Sequence, residues 1–201
     1  MQTEETALHP ELSTRFDFDS IWGTALNRFC VQSAVGEPLT IYGKGGQTRG
    51  YLDIRDTMAC ITLTLDNPPN VGECRVFNQF TEQFSLNELA DVVSSARDKK
   101  GLPTDIIHLP NPRVEAEEHY YNPIHTKLLD LGLKPHFLSD TLVTSVISLV
   151  ERHKGNVDPV LLQIPSVDWR TGGNEIWKKY ANKDEFTFNS RRTAHLVDSV
   201  R

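Results

Sequence analysis

The chain has 201 residues and a mass of 22.7 kDa, the size of one large domain or two small ones. Its composition, 38% hydrophobic and 24% charged, is ordinary for a globular protein and excludes a wholly disordered chain. The formal net charge of -6 argues against a nucleic-acid-binding protein, because backbone phosphates attract basic surfaces. No apolar stretch approaches the roughly 20 residues that a membrane span needs.

Charge is unevenly distributed along the chain. Residues 175–201 carry a net charge of +2, which leaves -8 for the remainder. This contrast predicts a basic, solvated tail that differs from the body of the protein. The three cysteines, Cys30, Cys60 and Cys74, are odd in number and far apart, which predicts reduced thiols rather than a disulfide framework or a zinc site.

The first predicted element is a helix capped by Asp19 or Ser20. Its apolar residues recur at helical spacing and form one face: Ile21, Trp22, Ala25, Leu26 and Phe29. The opposite face presents Asn27, Arg28 and Gln32, and residues 36–38 end the helix.

Two short strands are predicted next, at residues 39–42 and 51–54, with a glycine-rich turn at 43–47 between them. Asp56 is then expected to cap a helix that carries Met58, Ala59, Ile61 and Leu65. The following stretch, residues 75–80, is typical of a buried strand.

Ser85 and Glu88 form a capping-box pattern, which predicts a helix with its apolar residues inward: Leu86, Leu89, Ala90, Val93 and Ala96. Residues 106–109 predict a further strand, and residues 126–131 a short helix stopped by Gly132. Ser139 and Asp140 are expected to cap the longest helix. Alternation of strands and helices at this spacing favours an α/β or α+β fold. No glycine-rich turn joins a first strand to a first helix, so the usual dinucleotide-binding turn is not present in this pattern.

The turn at residues 43–47 lacks the spacing of a phosphate-binding loop and is most simply a tight turn. Arg49 follows it directly and has two interpretations. It can form a surface salt bridge, or its guanidinium can bind a diphosphate through paired hydrogen bonds.

Residues 111–122 form the densest polar and aromatic cluster, directly after a predicted strand. A solvated acidic loop is one interpretation, and a ligand site is the other, with Arg113 suited to a ribose and a phosphate. His119 and His125 lack further ligands at metal spacing, so no metal site is predicted. Trp169 is interpreted as an anchor that packs the end of the chain onto the body.

Several segments together resemble UDP-sulfoquinovose synthases, which are NAD-dependent enzymes of the extended short-chain dehydrogenase/reductase (epimerase/dehydratase) family. The resemblance extends over about residues 3–172, in the order 23–29, 38–57, 75–82, 111–122, 131–136 and 165–169. The segment with Arg49 is shared by the broader family, and the cluster at 111–122 narrows the resemblance to the synthases.

The resemblance implies an α/β fold that corresponds to the C-terminal, UDP-sugar-binding region of such an enzyme and lacks its N-terminal Rossmann half. It implies a UDP-sugar-binding region over residues 1–172 and a divergent basic tail over 173–201. The implied chemistry is the conversion of UDP-glucose and sulfite to UDP-sulfoquinovose, for sulfolipid synthesis, with NAD bound in the full-length enzyme and not by this chain.

The resemblance also implies the residues of the site. Ala25, Leu26, Asn27 and Arg28 would border the sugar and the diphosphate. Thr40, Ile41 and Tyr42 would hold the uracil through the backbone of their strand, and Arg49 would contact the diphosphate. The ribose and phosphate would be reached by Arg113, Val114, Glu115 and Ala116.

The catalytic Thr and the Tyr-x-x-x-Lys pair of the family belong upstream of this chain, so no catalytic residue is assigned here. None of the five tyrosines has a lysine four places on, where the residues are Gly46, Arg55, Ile124, His125 and Asp184. The chain alone is therefore expected to be inactive.

Two alternatives remain open: a non-catalytic interaction or regulatory module derived from the synthase, and a fragment of another nucleotide-sugar epimerase or dehydratase. The expected partners are UDP-glucose and either a second copy or a Rossmann-containing chain. The family implies the plastid stroma, and the cytoplasm is the alternative, since the first residues resemble no targeting peptide.

Overall fold

The computed structural model describes residues 8–12, 16, 18, 23–99, 101–111, 114, 125–138, 142–157 and 162. In the described residues, five helices and four short strands form a mixed α/β arrangement, with short 3₁₀ turns at Pro10–Leu12 and Lys154–Asn156. No helix in this part of the chain has the length and apolar character needed to cross a bilayer. The predicted tail and Trp169 lie outside the described residues.

Helix α1, Ala25–Val35, begins with Thr24, whose hydroxyl accepts a hydrogen bond from the Asn27 N–H at 3.1 Å. The predicted cap at Asp19 and Ser20 was therefore wrong in position, and these two residues lie outside the described part. Gly36 ends the helix in the left-handed conformation, as residues that lack a Cβ readily do. Gln32, on the face opposite the predicted apolar residues, is completely buried.

Strand β1, Leu39–Tyr42, confirms the predicted strand and pairs in parallel with β4, Ile106–Leu109. The registered pairs run from Leu39 with Ile106 to Tyr42 with Leu109. A turn at residues 43–47 follows β1, with Gly43 and Gly45 at positive φ. A side chain at Gly45 would be strained by its positive φ, and its Cβ would meet the Asn87 side chain and lie 2.9 Å from Cγ2 of Ile41.

Strand β2, Thr48–Tyr51, pairs antiparallel with β3, Glu82–Ser85, in a second two-stranded sheet. The prediction of a strand at 51–54 was wrong because Asp53 caps a helix that starts at Ile54. The prediction of a strand at 75–80 was also wrong: those residues are irregular, and the strand that pairs with β2 comes later.

Helix α2, Ile54–Asp66, is capped by Asp53 and not by Asp56 as predicted. The Asp53 carboxylate accepts from the Arg55 N–H at 2.8 Å, and its two oxygens also accept from the Arg55 guanidinium at 3.0 Å each. The helix buries Cys60 and leaves much of its apolar surface exposed, including Met58 at 59% and Leu65 at 74%.

Helix α3, Leu86–Asp98, confirms the predicted capping box. The Ser85 hydroxyl accepts from the Glu88 N–H, and the Glu88 carboxylate accepts from the Ser85 N–H at 2.8 Å. Leu89, Ala90 and Val93 are fully buried on the inner face, as the spacing predicted.

Two more helices follow: α4, Lys127–Asp130, and α5, Val143–His153. The short α4 confirms the helix expected before Gly132. The prediction that α5 is the longest helix was wrong, since it has 11 residues against 13 in α2 and in α3. Its predicted caps, Ser139 and Asp140, lie outside the described residues.

The main core lies between α1, α3, α5 and β1, which bury Phe29, Leu39, Ile41, Leu89 and Ile147 together. A smaller cluster joins α2 to α4 through Cys60, Leu128 and Leu133. All three cysteines are unpaired, as predicted, with Cys30 and Cys60 buried and Cys74 exposed. The main core therefore backs one face of α1 and β1, the two elements that carry most of the implied site.

Candidate nucleotide site at the edge of β1

Strand β1 directs its backbone polar groups alternately to two sides. The N–H groups of Leu39 and Gly43 donate at 2.8 Å to carbonyls on the β4 side, those of Asp105 and Leu109. Because successive residues of a strand alternate, Thr40 and Tyr42 turn their N–H and C=O groups to the other edge. That edge is the part of the strand where the resemblance places a uracil.

Helix α1 covers the Thr40 position of this edge with two side chains four residues apart. The amide of Gln32 accepts from the Thr40 N–H at 3.1 Å and donates to the Thr40 hydroxyl oxygen at 2.7 Å. Nη2 of Arg28 donates to the Thr40 carbonyl at 2.9 Å. All three polar groups of Thr40 are therefore bound to α1.

Gln32 also reaches a distant part of the chain. Its second amide hydrogen is donated to the Leu162 carbonyl at 2.7 Å. This fully buried side chain thus joins α1, β1 and the region beyond α5 through three short hydrogen bonds. Sequence reasoning missed it, because a glutamine on a helix gives no local sign that its partners lie elsewhere in the chain.

The Arg28 guanidinium also lies over the ring of Tyr42, with Cζ 4.3 Å from the ring centroid. A cation over an aromatic face is attracted to the ring electrons. Arg28 and Tyr42, both implied as site residues, are thus in direct contact, and Arg28 contacts both residues of the outward edge.

The turn after β1 is fixed from two sides. Nε2 of Gln47 donates to the Tyr42 carbonyl over a long 3.4 Å, and the His108 ring nitrogen lies 2.8 Å from the Gly43 carbonyl. On the far side of the turn, the Asn87 side chain donates to the Lys44 carbonyl at 3.0 Å. Oε1 of Gln47 is buried and has no hydrogen-bond partner among the described residues.

Arg49 lies on β2, which follows β1 after the turn at residues 43–47. Its Nη1 donates to the Thr48 carbonyl at 2.8 Å. Burial raises the pKa of the neighbouring Tyr51 above its ordinary value, and the positive charge of Arg49 opposes that rise only in part. Arg49 therefore contributes a cation beside the turn rather than on the strand edge itself.

The other implied residues are placed less completely. In the first turn of α1, Leu26 belongs to the main core, so a ligand there would meet its backbone or its neighbours Ala25 and Asn27. Val114 is exposed, whereas Arg113, Glu115 and Ala116 lie outside the described residues. Because β1 and β4 are parallel, β4 ends at Leu109 beside Tyr42, at the end of the strands where ligands commonly bind open parallel sheets.

A second polar cluster, not predicted from the sequence, lies at the start of α2. The buried Asp56 carboxylate accepts from the His136 N–H at 2.8 Å, and its other oxygen lies 2.6 Å from Nδ1 of His136. Burial would raise the pKa of nearby Asp53, but hydrogen bonds from Arg55 and its charge outweigh burial and lower that pKa. Asp56 therefore anchors the segment around His136 instead of capping α2.

No group of three His, Cys, Asp or Glu side chains in the described ranges is arranged to hold a metal ion. Within those ranges the chemistry of the β1 edge is hydrogen bonding and cation contact, which is suited to binding and orienting a nucleotide.

Comparison with solved structures defines the class of fold. The chain matches a UDP-N-acetylglucosamine 4-epimerase from Methanobrevibacter ruminantium M1, solved in complex with UDP-N-acetylmuramic acid. The TM-score is 0.51 at 17% sequence identity, over 71% of this chain and 43% of the epimerase. The fold is therefore that of part of this epimerase, and the predicted fold class is confirmed.

Comparison of sequences is more specific. The chain is 61% identical to the chloroplastic UDP-sulfoquinovose synthase of Spinacia oleracea over 173 residues, and 52% identical to the synthase of Sulfolobus acidocaldarius over 134 residues. The matches include 86% and 67% of this chain. The predicted resemblance to the UDP-sulfoquinovose synthases is thus confirmed.

The extent of the match is partial. The chain spans about a third of the length of these curated relatives, 36% of the spinach protein and 34% of the Sulfolobus protein. No protein-family model matches the chain.

Proposed function

We propose that this chain is the UDP-sugar-binding region of a UDP-sulfoquinovose synthase, an enzyme that makes UDP-sulfoquinovose from UDP-glucose and sulfite for sulfolipid synthesis. The observation that carries the proposal is the 61% identity to the spinach synthase over 86% of the chain. The β1 edge supports it, because this edge presents the backbone groups of Tyr42 beside the Arg28 cation.

Each part of a UDP-sugar has a matching group in the proposed site. The uracil has an N–H donor beside a carbonyl acceptor, which complements the outward C=O and N–H groups of Thr40 and Tyr42. The diphosphate calls for guanidinium groups, which Arg28 and Arg49 supply and which bind phosphate through paired, charge-assisted hydrogen bonds. Arg113 would reach the ribose and phosphate, with Val114, Glu115 and Ala116 beside it.

The role of this chain is to bind and orient the substrate. NAD supplies hydride chemistry in the whole enzyme, and we propose that it is held by residues outside this chain. None of the five tyrosines has a lysine four places on, the spacing of the pair that removes a proton from the sugar in the family. The chain alone therefore binds UDP-glucose and does not turn it over, and we place the protein in the plastid stroma, with 173–201 as a solvated tail.

Thermal unfolding with and without UDP-glucose tests the binding step. A ligand that binds only the folded state at a hundredfold excess over its dissociation constant stabilises by about 2.7 kcal/mol, which for a chain of this size raises the midpoint by about 5–10 °C. ADP-glucose is the matched control, since it keeps the diphosphate and the sugar but replaces the uracil.

The Arg49→Ala variant should lose most of the shift, whereas Arg152→Ala, which removes an exposed cation at the end of α5, should keep it. A midpoint that saturating UDP-glucose leaves unchanged, or that ADP-glucose raises equally, would contradict the proposed site. Formation of UDP-sulfoquinovose by this chain with UDP-glucose, sulfite and NAD would contradict the proposed division of labour.

A further inference from the structure

Four exposed apolar side chains form one side of helix α2, which we call its outer face: Ile54, Met58, Ile61 and Leu65. They follow one another at intervals of four, three and four residues, so they share one side of the helix. The opposite side buries Cys60 in the small cluster shared with α4. A helix that packs on one side ordinarily presents charged and polar residues on the other, and α2 departs from this pattern.

The polar residues of α2 do not offset its apolar outer face. Residues 57–65 include no charged side chain. The hydroxyls of Thr57, Thr62 and Thr64 each donate to the backbone carbonyl four residues earlier, at 3.3, 3.2 and 2.7 Å. Such bonds satisfy the hydroxyl hydrogens within the helix. The surface of α2 is therefore suited to contact with protein rather than with water.

The segment that follows α2 adds to this surface. Phe77 packs against the small cluster of α2 and α4, and the neighbouring Val76 is exposed. Residues 75–80 include three of types that strands favour, Val76, Phe77 and Phe80, and yet the segment is irregular in this chain. Whether such residues form a strand depends on the strands beside them. A sheet that belongs to another part of the enzyme and covers this surface would explain both the exposed helix face and the irregular segment.

We propose that the outer face of α2 and residues 75–80 form the surface on which the rest of a UDP-sulfoquinovose synthase docks. The match to this chain covers 36% of the spinach synthase, so the larger part of that protein lies outside it. Permanent interfaces are apolar, like a domain core cut in two, and the outer face of α2 has that character. The inference rests on the proposed function and adds to it the place where the two parts of the enzyme meet.

Exposed apolar residues elsewhere are more scattered. Away from α2, α4 and the segments after them, the exposed large apolar side chains in the described residues are Leu8, Leu12, Leu102 and Val114. They are spread over three separate segments, as isolated surface residues commonly are. A second copy of this chain is the competing occupant of the α2 face, and its mark would be protection that depends on concentration.

Thiol labelling of an introduced cysteine measures whether the outer face of α2 is covered. Met58→Cys places a thiol on this face, and Leu102→Cys places one at a control position of similar exposure, 47% against 59%. Each variant is made in the 201-residue chain and in a chimera, in which the chain replaces the matched region of the spinach synthase. Peptide mass spectrometry separates the introduced thiols from the native, exposed Cys74.

The two positions should respond differently to the rest of the synthase. In the 201-residue chain, both introduced thiols should react at similar rates. In the chimera, Met58→Cys should react about 10- to 100-fold more slowly, because a covered thiol reacts only when the interface opens locally. Leu102→Cys should keep its rate. Circular dichroism confirms that each variant is folded, and Leu65→Cys supplies a second test of the same face if Met58→Cys is not.

Slow labelling of Met58→Cys in the chimera, without slowing of Leu102→Cys, supports the docking surface. Equal rates for Met58→Cys in chain and chimera, or equal slowing of Leu102→Cys, overturn it, and a chimera that still makes UDP-sulfoquinovose shows that the proposed function stands. Protection in the 201-residue chain that disappears on dilution assigns the face to a second copy and also overturns the proposal. A chimera that makes no UDP-sulfoquinovose where the spinach synthase does contradicts the proposed function, and the docking surface fails with it.

Discussion

Replacement of Gln32 by leucine removes the three hydrogen bonds that link α1, β1 and Leu162 while keeping nearly the same side-chain volume. The Thr40 hydroxyl oxygen loses its donor, and the Thr40 N–H and the Leu162 carbonyl are left buried without a partner. Each unsatisfied buried backbone group costs about 1–3 kcal/mol, so the two should lower the free energy of unfolding by about 2–6 kcal/mol. That is a large share of the roughly 5–15 kcal/mol that stabilises a typical domain.

Urea denaturation followed by far-ultraviolet circular dichroism measures this loss. We expect a lower midpoint with an unchanged slope, because the surface exposed on unfolding is the same. The matched control is Gln79→Leu, in which an exposed glutamine is replaced and the change should stay within about 0.5 kcal/mol. A loss in Gln32→Leu no greater than in Gln79→Leu would show that the buried network contributes nothing to stability.

Two further predictions concern titratable groups. Burial raises the pKa of the Cys30 thiol to about 12 and also raises the pKa of the Cys60 thiol. A thiol reagent at neutral pH should therefore modify only the exposed Cys74 in the folded protein, and all three cysteines after denaturation. Rapid labelling of Cys30 in the native protein would contradict the described core. In the α3 capping box, hydrogen bonds from Ser85 lower the pKa of the Glu88 carboxyl in the folded protein. The ionised carboxylate therefore stabilises the fold fully above the pKa that Glu88 has in the unfolded chain. This stabilisation is lost as the pH falls through the lower pKa of the folded state. The Glu88→Gln variant should therefore be less stable than the wild type by about 0.3–1 kcal/mol at neutral pH and low salt, and as stable as the wild type in acid. A stability difference that persists in acid would show that the charge of Glu88 does not cause it.

Elements with local signals were predictable from the sequence. The Ser85 and Glu88 capping box is complete within four residues, and β1 is a β-branched run that a glycine-rich turn ends. The strand expected at 75–80 failed because Val76, Phe77 and Phe80 favour a strand locally. The true partner of β2 is Glu82–Ser85, in which Phe84 is the one residue of a type that strands favour. Cross-strand pairing decided that position, and it is not encoded in any short window.

The site was predictable only in part, because its contacts join residues that lie far apart in the sequence. Arg28, Thr40 and Tyr42 were implied by the resemblance, but their mutual contacts were not. Asp56 has the residue type and position of a helix cap, and its actual partner, His136, lies 80 positions further along the chain. Gln32 has the pattern of a solvated helix residue, and its role depends on a carbonyl 130 positions away.

The bond between Gln32 and Leu162 has a consequence for the order in which the protein folds. A chain that brings together residues 130 positions apart must first restrict a long loop, so such contacts form late and slowly. Helix α3 can form early from nearby residues, because its capping box is local, whereas the final geometry of Thr40 awaits the bond between Gln32 and Leu162. Competence to bind a nucleotide should therefore be among the last properties to appear as a newly made chain folds.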